Sequence, residues 1–210
     1  PGGCALHLAA LGGHAATLRL LISRIEGAAL EAAIASTDGA WRSPLLCAAG
    51  GGGEGHADCV RILVRANAPL DQRDAEGNSA LLRACAAGDA PSAQALLAAG
   101  GATRHTNRLG LDALGCAAVG GHLALLPSLI GAGCGDTIGD AMVRAAAAGQ
   151  ARTAVALAEL WPSPTAGRAA PLRRDEPPTA AQQLLEVLWR RCREEAIAAP
   201  HPEPRCPPAA

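Results

Sequence analysis

The sequence has no phenylalanine, no tyrosine and no lysine, and its only aromatic side chains are three tryptophans in 210 residues. Aromatic rings usually fill much of the volume of a globular core. Their scarcity argues against a core of large side chains and favours short, close-packed helices lined by Ala and Leu. All 18 basic residues are arginines. Together with the abundance of Ala, Gly and Pro, this indicates a GC-rich genome rather than a function.

Strong net charge and long apolar runs are also missing. The formal net charge is −1, which gives no overall field to attract nucleic acid or an anionic membrane. No window approaches the ~20 apolar residues that span a bilayer, and no signal-peptide pattern is present. We expect no nucleic-acid partner and no membrane insertion. Because the chain begins without Met and inside a motif, we also expect a fragment of a longer protein.

Motifs for catalysis or metal binding are not found either. The eight cysteines form no CxxC pair, and no HExxH or paired Cys/His spacing suits zinc. The Gly-rich run at 50–56 lacks the Gly-Lys-Ser/Thr ending of a phosphate loop. We expect no catalytic residue, metal, cofactor or small-molecule substrate, and hence no enzyme. Free thiols fit a reducing compartment, which predicts a cytoplasmic protein, with the nucleus as the alternative.

One short segment recurs along the chain. It begins at residues 4, 43, 79, 112 and 140, with spacings of 39, 36, 33 and 28 residues. Its third residue is Leu or Met, and two small residues follow three and four positions later, so that all of them share one helical face. A glycine is then expected to end this first helix, because Gly accepts the left-handed conformation there. These glycines are Gly13, Gly55, Gly88, Gly121 and Gly149.

A second helix with a bulky apolar pair follows each glycine. Asn67, Gly100 and Gly133 are predicted to stop it in three of the units, because each can adopt a positive φ. This arrangement of two helices and a loop resembles the ankyrin repeat over roughly residues 1–161. The first unit, CALHLAALGGHAATLRLLI, is similar nearly position by position to the family pattern TPLHxAAxxGHxxxVxxLL.

The resemblance implies an all-α ankyrin-repeat solenoid of about five repeats, the last one degenerate. It implies that His7 hydrogen-bonds to backbone and that His14, His56 and His122 are structural residues of the turn between helices. In such arrays the finger loops and first helices form a concave surface that binds a partner protein. The candidate partner-binding residues are Trp41, Arg42, Arg73, Glu76, Asn78, Arg83, Arg104, His105, Asn107 and Arg108.

Trp41 is the first of these candidates, in a finger that we expect to be longer by two residues around Trp41 and Arg42. Trp and Arg dominate binding hot spots because each buries area and offers hydrogen-bond donors. The alternatives are that Trp41 folds back over the core and that the arginines form a solvated rim. Asp74 is a further finger residue. The exposed first-helix positions are expected to hold Leu8, Cys47, Arg83, Cys116 and Arg144.

Three departures from the repeat are visible in the sequence. The Ala-rich stretch 23–37 predicts an extra helical turn, and the glycines at 50–53 predict a flexible loop insertion. Pro127 falls within a predicted second helix. Near the start of that helix it is tolerated, but deeper inside it costs about 3 kcal/mol.

The C-terminal segment follows a different pattern. Prolines and charges predict a Pro-rich linker over 162–178, after the repeat array at 1–161. Thr179 and Gln182 fit a capping box and begin a predicted amphipathic helix over 179–199, followed by a disordered tail over 200–210. The apolar stripe of this helix consists of Leu184, Leu185, Leu188, Cys192 and Ala196.

Three functions stay open at this point. The first is a protein–protein interaction scaffold. The second is a substrate-recognition adaptor of a cullin ubiquitin ligase, because LxxxCxxxA over 188–196 resembles the elongin-binding half of a SOCS box. Val187 stands where that motif has Ser, Thr or Pro, and no Leu-Pro-rich cullin-facing segment follows. The third is the recognition module of a larger enzyme whose catalytic domain lies outside this sequence.

Overall fold

A computed structural model describes residues 3–160, and every regular element in this range is helical. The α-helices are α1 (Ala5–Leu11), α2 (Ala15–Arg24), α3 (Ala28–Ala35), α4 (Pro44–Ala49), α5 (Glu54–Arg65), α6 (Ala80–Ala87), α7 (Ala90–Ala98), α8 (Ala113–Gly120), α9 (Leu126–Leu129), α10 (Ile138–Ala147) and α11 (Ala151–Leu160). Within this range, no helix combines the length and apolarity that crossing a bilayer requires.

The helices form successive pairs, and the pairs stack in chain order. The first helices are α1, α4, α6, α8 and α10, and each contacts the next one along the chain. The second helices α2, α5 and α7 contact one another in the same order. The small pairs predicted from the sequence lie at these contacts, where Ala10, Ala49, Cys85 and Ala118 are fully buried. The core therefore extends along the stack and joins each pair to its neighbours.

The extra residues of the first interval form a helix. Helix α3 occupies the Ala-rich stretch between α2 and α4, and its Ile34 is buried in the core. The predicted additional helical turn is therefore confirmed. The same observation corrects the prediction of a finger lengthened around Trp41 and Arg42, because α3 accounts for the long first interval.

The glycines at 50–53 form a tight turn that separates α4 from α5. Helix α4 ends before Gly50, and α5 begins at Glu54. The prediction that Gly55 ends the first helix of this unit is wrong, since Gly55 lies in the first turn of α5. Its exchange for alanine would place a Cβ 2.6 Å from the carbonyl oxygen of Gly13. Gly55 thus allows α5 to approach the turn of the preceding unit.

The second helix of the fourth pair is irregular. A 3₁₀ turn (Leu123–Leu125) precedes α9, and a π-helical turn (Ile130–Cys134) follows it. Pro127 lies in the first turn of α9, where its missing amide hydrogen is tolerated. The helix stops that were predicted at Asn67, Gly100 and Gly133 are confirmed, because φ is 58°, 86° and 98° at these residues.

The fifth pair begins without a finger loop. A 3₁₀ turn (Gly135–Thr137) leads directly into α10, which begins two residues before Asp140. Asp140 is consequently exposed and is not the N-terminal capping residue that Ser43, Ser79 and Asp112 are in other units. The predicted linker, amphipathic helix and tail at 162–210 lie outside the described residues.

Candidate functional site

Three finger loops share one five-residue turn. We name them the first finger (38–42), the second finger (74–78) and the third finger (107–111). Each begins with an Asp or Asn whose Oδ1 accepts hydrogen bonds from the amides two and four residues later, at 2.8–3.1 Å. In each finger the amide of the fourth residue also donates to the carbonyl of the first. Such side-chain acceptors mimic a backbone turn and fix its shape.

Trp41 occupies the fourth position of the first finger. Its φ is 60°, and the corresponding residues of the other two fingers are Gly77 and Gly110, with φ of 80° and 68°. A left-handed conformation is strained for a bulky residue and easy for glycine. The Trp41 residue is also 67% exposed, so it does not fold back over the core. The first finger therefore holds a large aromatic ring in solvent at a position where glycine would relieve strain.

Buried carboxylates hold the finger bases in place. Arg42 donates from Nε and Nη2 to Asp38 Oδ2 at 2.9 and 2.8 Å. Burial by itself would raise the pKa of Asp38. The hydrogen bonds from the Arg42 guanidinium and from the amides of Arg42 and Ala40 outweigh it and lower that pKa to about 2. Arg42 thus stabilises the turn, and its predicted role as a binding residue stays a prediction.

Asp74 plays the same part in the second finger. Its side chain is completely buried and accepts from Arg83 Nη1 at 2.9 Å and Asn78 Nδ2 at 3.2 Å. Burial opposes ionisation, but these bonds, together with the Asn78 amide, lower the pKa of Asp74 below its ordinary value. Of the predicted site residues, Asn78 and Arg83 therefore join the finger to α6.

The second and third fingers are linked edge to edge. The Arg108 amide donates to the Glu76 carbonyl at 3.0 Å, and Asn107 Nδ2 donates to Asn78 Oδ1 at the same distance. The third finger in turn contacts the last pair, because Arg144 Nη1 donates to the Leu109 carbonyl at 3.2 Å. Asn107 therefore also stabilises the stack, and the second and third fingers form one continuous edge. We call the three fingers together the finger row.

The remaining predicted residues lie in or beside the finger row and differ in their partners. Arg73, Glu76 and Arg108 are exposed, and neither Arg73 nor Arg108 forms a salt bridge within residues 3–160. Arg104 pairs with Asp136 at 2.9 Å, with both side chains largely in solvent, where such a pair is worth little. His105 is half-buried, and its Nδ1 lies 3.9 Å from Asp71, which is too far for a hydrogen bond.

Two predicted first-helix positions are corrected by burial. Cys47 and Cys116 are buried, whereas Leu8 is 66% exposed, and Arg83 and Arg144 are partly exposed. Burial raises the pKa of both thiols, that of Cys116 to about 12. Asp74, predicted as a finger residue at the surface, is buried as well. At this position of the first helix, a short side chain such as Cys is buried between neighbouring residues, whereas a longer side chain such as Leu or Arg reaches solvent.

The sequence reasoning missed one exposed apolar residue and one cleft. Leu109, the third residue of the third finger, is 74% exposed. Its position in a finger tip was the available signal. A cleft of about 210 Å³ opens between residues 103–115 and 133–144, where the last pair lacks a finger. Arg104, Asp136, Asp140 and Arg144 contribute charged groups to its lining.

The comparisons with known proteins agree with this arrangement. The sequence model of the family described as ankyrin repeats (3 copies) matches residues 6–103. Residues 6–103 are ankyrin repeats. No curated protein matches the chain. Ankyrin repeats are in general protein–protein interaction modules rather than catalytic ones, and no group of three or more His, Cys, Asp or Glu suited to a metal occurs within residues 3–160.

Histidines stabilise the contacts between neighbouring units, although His56 lies in the first turn of α5 and not, as expected, in the turn between helices. His7 Nε2 donates to the carbonyls of Ser36 and Arg42 at 3.1 and 3.0 Å and so fastens the first finger to α1. His56 Nε2 donates to the Leu11 carbonyl, and His122 Nε2 to the Ala86 carbonyl, both at 3.0 Å. Each of these two bonds crosses from one unit to the preceding one. We assign all three histidines to the frame of the stack and not to the partner site.

Proposed function

We propose that this chain is a non-enzymatic recognition module that binds another protein through its finger row and the exposed side of its first helices. The observation that carries the proposal is Trp41, an exposed indole held on a left-handed backbone that glycine occupies in the sister fingers. Strain of this kind, of order 1–3 kcal/mol, persists where the surroundings impose it and is concentrated at binding sites. Exposed Trp is also the side chain most typical of binding hot spots.

The chemistry of the surface indicates what the partner presents. Trp41, Leu109 and Leu8 offer separate apolar contacts, and a partner must cover them with apolar side chains. Arg73 and Arg108 are exposed with no carboxylate partner among the described residues, so the partner supplies acidic groups to them. The fitting ligand is a protein segment that carries both apolar and acidic side chains.

The proposal includes the helix pairs beyond the matched range. The third finger joins the second finger edge to edge, and the last two pairs continue the stack of first helices through α8 and α10. We therefore count five ankyrin units, with the fifth lacking its finger. A reducing compartment, cytoplasmic or nuclear, suits the six free cysteines of residues 3–160.

Affinity capture with the full chain tests this function. Wild type, Trp41→Gly and Leu20→Ser are immobilised and exposed to lysate, and bound proteins are quantified by mass spectrometry. Leu20 is a matched control because it is an exposed apolar residue on a second helix, away from the fingers. We expect a partner that wild type and Leu20→Ser retain and Trp41→Gly loses. Equal retention by all three chains would refute a finger-row site.

A further inference from the structure

Helix α10 of the last unit exposes residues whose equivalents are buried in each of the four units before it. The fourth residue of the recurrent motif is His7, Leu46, Leu82 or Gly115 in the first four units, and each is buried. In the fifth unit this residue is Val143, which is 39% exposed. The second residue of the small pair shows the same difference. It is fully buried in the first four units, as Ala10, Ala49, Cys85 and Ala118, but only partly buried in the fifth, as Ala146.

These positions face the next unit in the stack. Helix α10 contacts α8 on one side and α11 on another, and its inner residues Met142 and Ala145 are buried there. Val143 and Ala146 lie one helical turn apart on a neighbouring side of the helix. We call these two residues the end face. Since the corresponding residues of α1, α4, α6 and α8 are covered by a following unit, the end face has the shape of a docking surface for one more helix.

The end face is also more apolar than the outer face of a terminal unit usually is. The outer face of a terminal unit in a repeat array is normally polar, because it meets water. The end face instead keeps the apolar residues of an internal unit. Leu160, at the end of α11, adds an apolar side chain that is 43% exposed. Val143 and Leu160 are the large apolar residues that α10 and α11 leave exposed.

The chain itself carries a segment of matching chemistry at a suitable distance. Residues 179–199 lie outside the described residues, and their sequence places Leu184, Leu188 and Cys192 at helical spacing on one side. Eighteen residues separate Leu160 from Thr179. At about 3.1 Å per residue they span roughly 55 Å when extended, several times the ~10 Å width of a helix. The segment can therefore return to the end of the stack.

Charge is compatible with the same pairing. Asp140 on α10 and Glu159 on α11 are exposed and belong to no salt bridge within residues 3–160. The segment carries Arg190, Arg191 and Arg193, together with Glu186, Glu194 and Glu195, so it can offer arginines to these carboxylates without a net charge of its own. We propose that residues 179–199 fold onto the end face as a helix and close the ankyrin stack as an intramolecular cap.

Disulfide trapping in the full chain tests the cap, because Cys192 belongs to the apolar stripe. Val143→Cys is introduced into a Cys4→Ser/Cys206→Ser background, and mild oxidation is followed by peptide mapping of the monomer. Leu20→Cys in the same background is the control, since it is exposed at the far end of the stack. We expect the Cys192 bond to form at least about tenfold faster with Val143→Cys, through its higher effective concentration. Equal rates, or a bond found only between two chains, would overturn the proposal.

Hydrogen exchange gives a second readout that does not alter the end face. Leu188→Asp places a charge within the apolar stripe, and Gln183→Asp adds the same charge on the opposite side of the predicted helix. We expect amides of α10 and α11 to exchange at least about tenfold faster in Leu188→Asp than in wild type or Gln183→Asp. If the two variants exchange alike, the segment does not cover this face.

Discussion

At the scale of single residues, the finger turns depend on one acceptor side chain each. Asp38, Asp74 and Asn107 occupy the same position and make the same two bonds to backbone amides. Asn107 shows that an amide oxygen suffices for the turn. The charge of Asp38 and Asp74 therefore has a separate role, which is to hold Arg42 and Arg83 against the stack.

Because the charge of Asp38 has its own role, the effect of Asp38→Asn on the free energy of unfolding should depend on pH. The pKa of Asp38 is about 2 in the folded chain and near 3.9 when unfolded. A lowered carboxyl pKa contributes stability that is complete above the unfolded value and is lost as the pH falls towards 2. We expect Asp38→Asn to lower the free energy of unfolding by about 1 kcal/mol at pH 7.

Urea denaturation between pH 7 and pH 2 measures the difference between wild type and Asp38→Asn. The difference should shrink as the pH falls from 4 to 2, where about half of the wild-type Asp38 carboxylate is protonated in the folded chain. A difference that stays constant over this range would show that the ion pair with Arg42 contributes nothing. Asp58→Asn, at an exposed carboxylate, is a control expected to change little.

Exposure and thiol pKa together predict which of the six cysteines in residues 3–160 react fastest. Cys4 is exposed, whereas Cys47, Cys59, Cys85, Cys116 and Cys134 are buried. Burial raises the pKa of Cys59 to about 11 and that of Cys116 to about 12, and thiols react through the thiolate. We expect iodoacetamide at pH 8 to label Cys4 at least about tenfold faster than these five. Peptide mass spectrometry reads the rates, and comparable labelling of native Cys85 would contradict the described packing.

At the scale of helices, close approach decides where glycine is required. Gly55 lies in α5 against the Gly13 carbonyl, so a Cβ there would meet backbone at 2.6 Å. Gly131 lies in the π-helical turn, and a Cβ there would meet nothing within 4 Å. Alanine is favoured over glycine in a helix by up to about 1 kcal/mol. We expect Gly131→Ala to be neutral or stabilising and Gly55→Ala to be destabilising.

Thermal unfolding of the two glycine variants checks this contrast. A Gly55→Ala chain that unfolds at or above the wild-type temperature would show that α5 shifts freely relative to α1. The same experiment tests the contact between the first two units, because His56 spans the same interface through its bond to the Leu11 carbonyl.

Local sequence signals predicted most helices, but they did not predict the backbone conformation of Trp41 or the burial of Cys47 and Cys116. The periodic Leu and paired small residues predicted the helices and their buried faces, and Gly100 and Gly133 marked the helix stops. The error at Gly55 arose because four consecutive glycines offered several places for a helix to end. Trp41 was predicted as exposed, but its left-handed backbone became visible only when the three fingers were compared. Cys47 and Cys116 were misplaced because exposure at that position depends on side-chain length.

At the scale of the whole molecule, the proposed binding residues lie on the finger loops and the first helices of the stack. The first two fingers are held by the carboxylates of Asp38 and Asp74, and the first also by His7; the second and third fingers are joined edge to edge by Asn78, Asn107 and Arg108. Each unit buries its helices only against neighbours, so surface residues of the fingers can change without loss of the frame. The fifth unit has no finger of its own, so the row ends at the third finger and a cleft lies beside Arg144.

The binding affinity and the stability of Trp41→Gly, measured together with the captured partner, test the central claim most directly. Glycine relieves the strained backbone, so the urea midpoint should stay level or rise. Loss of a hot-spot indole should raise Kd by roughly 30-fold, corresponding to about 2 kcal/mol. The account predicts this combination of weaker binding with undiminished stability. An unchanged Kd, or weaker binding that only accompanies a lower urea midpoint, would contradict it.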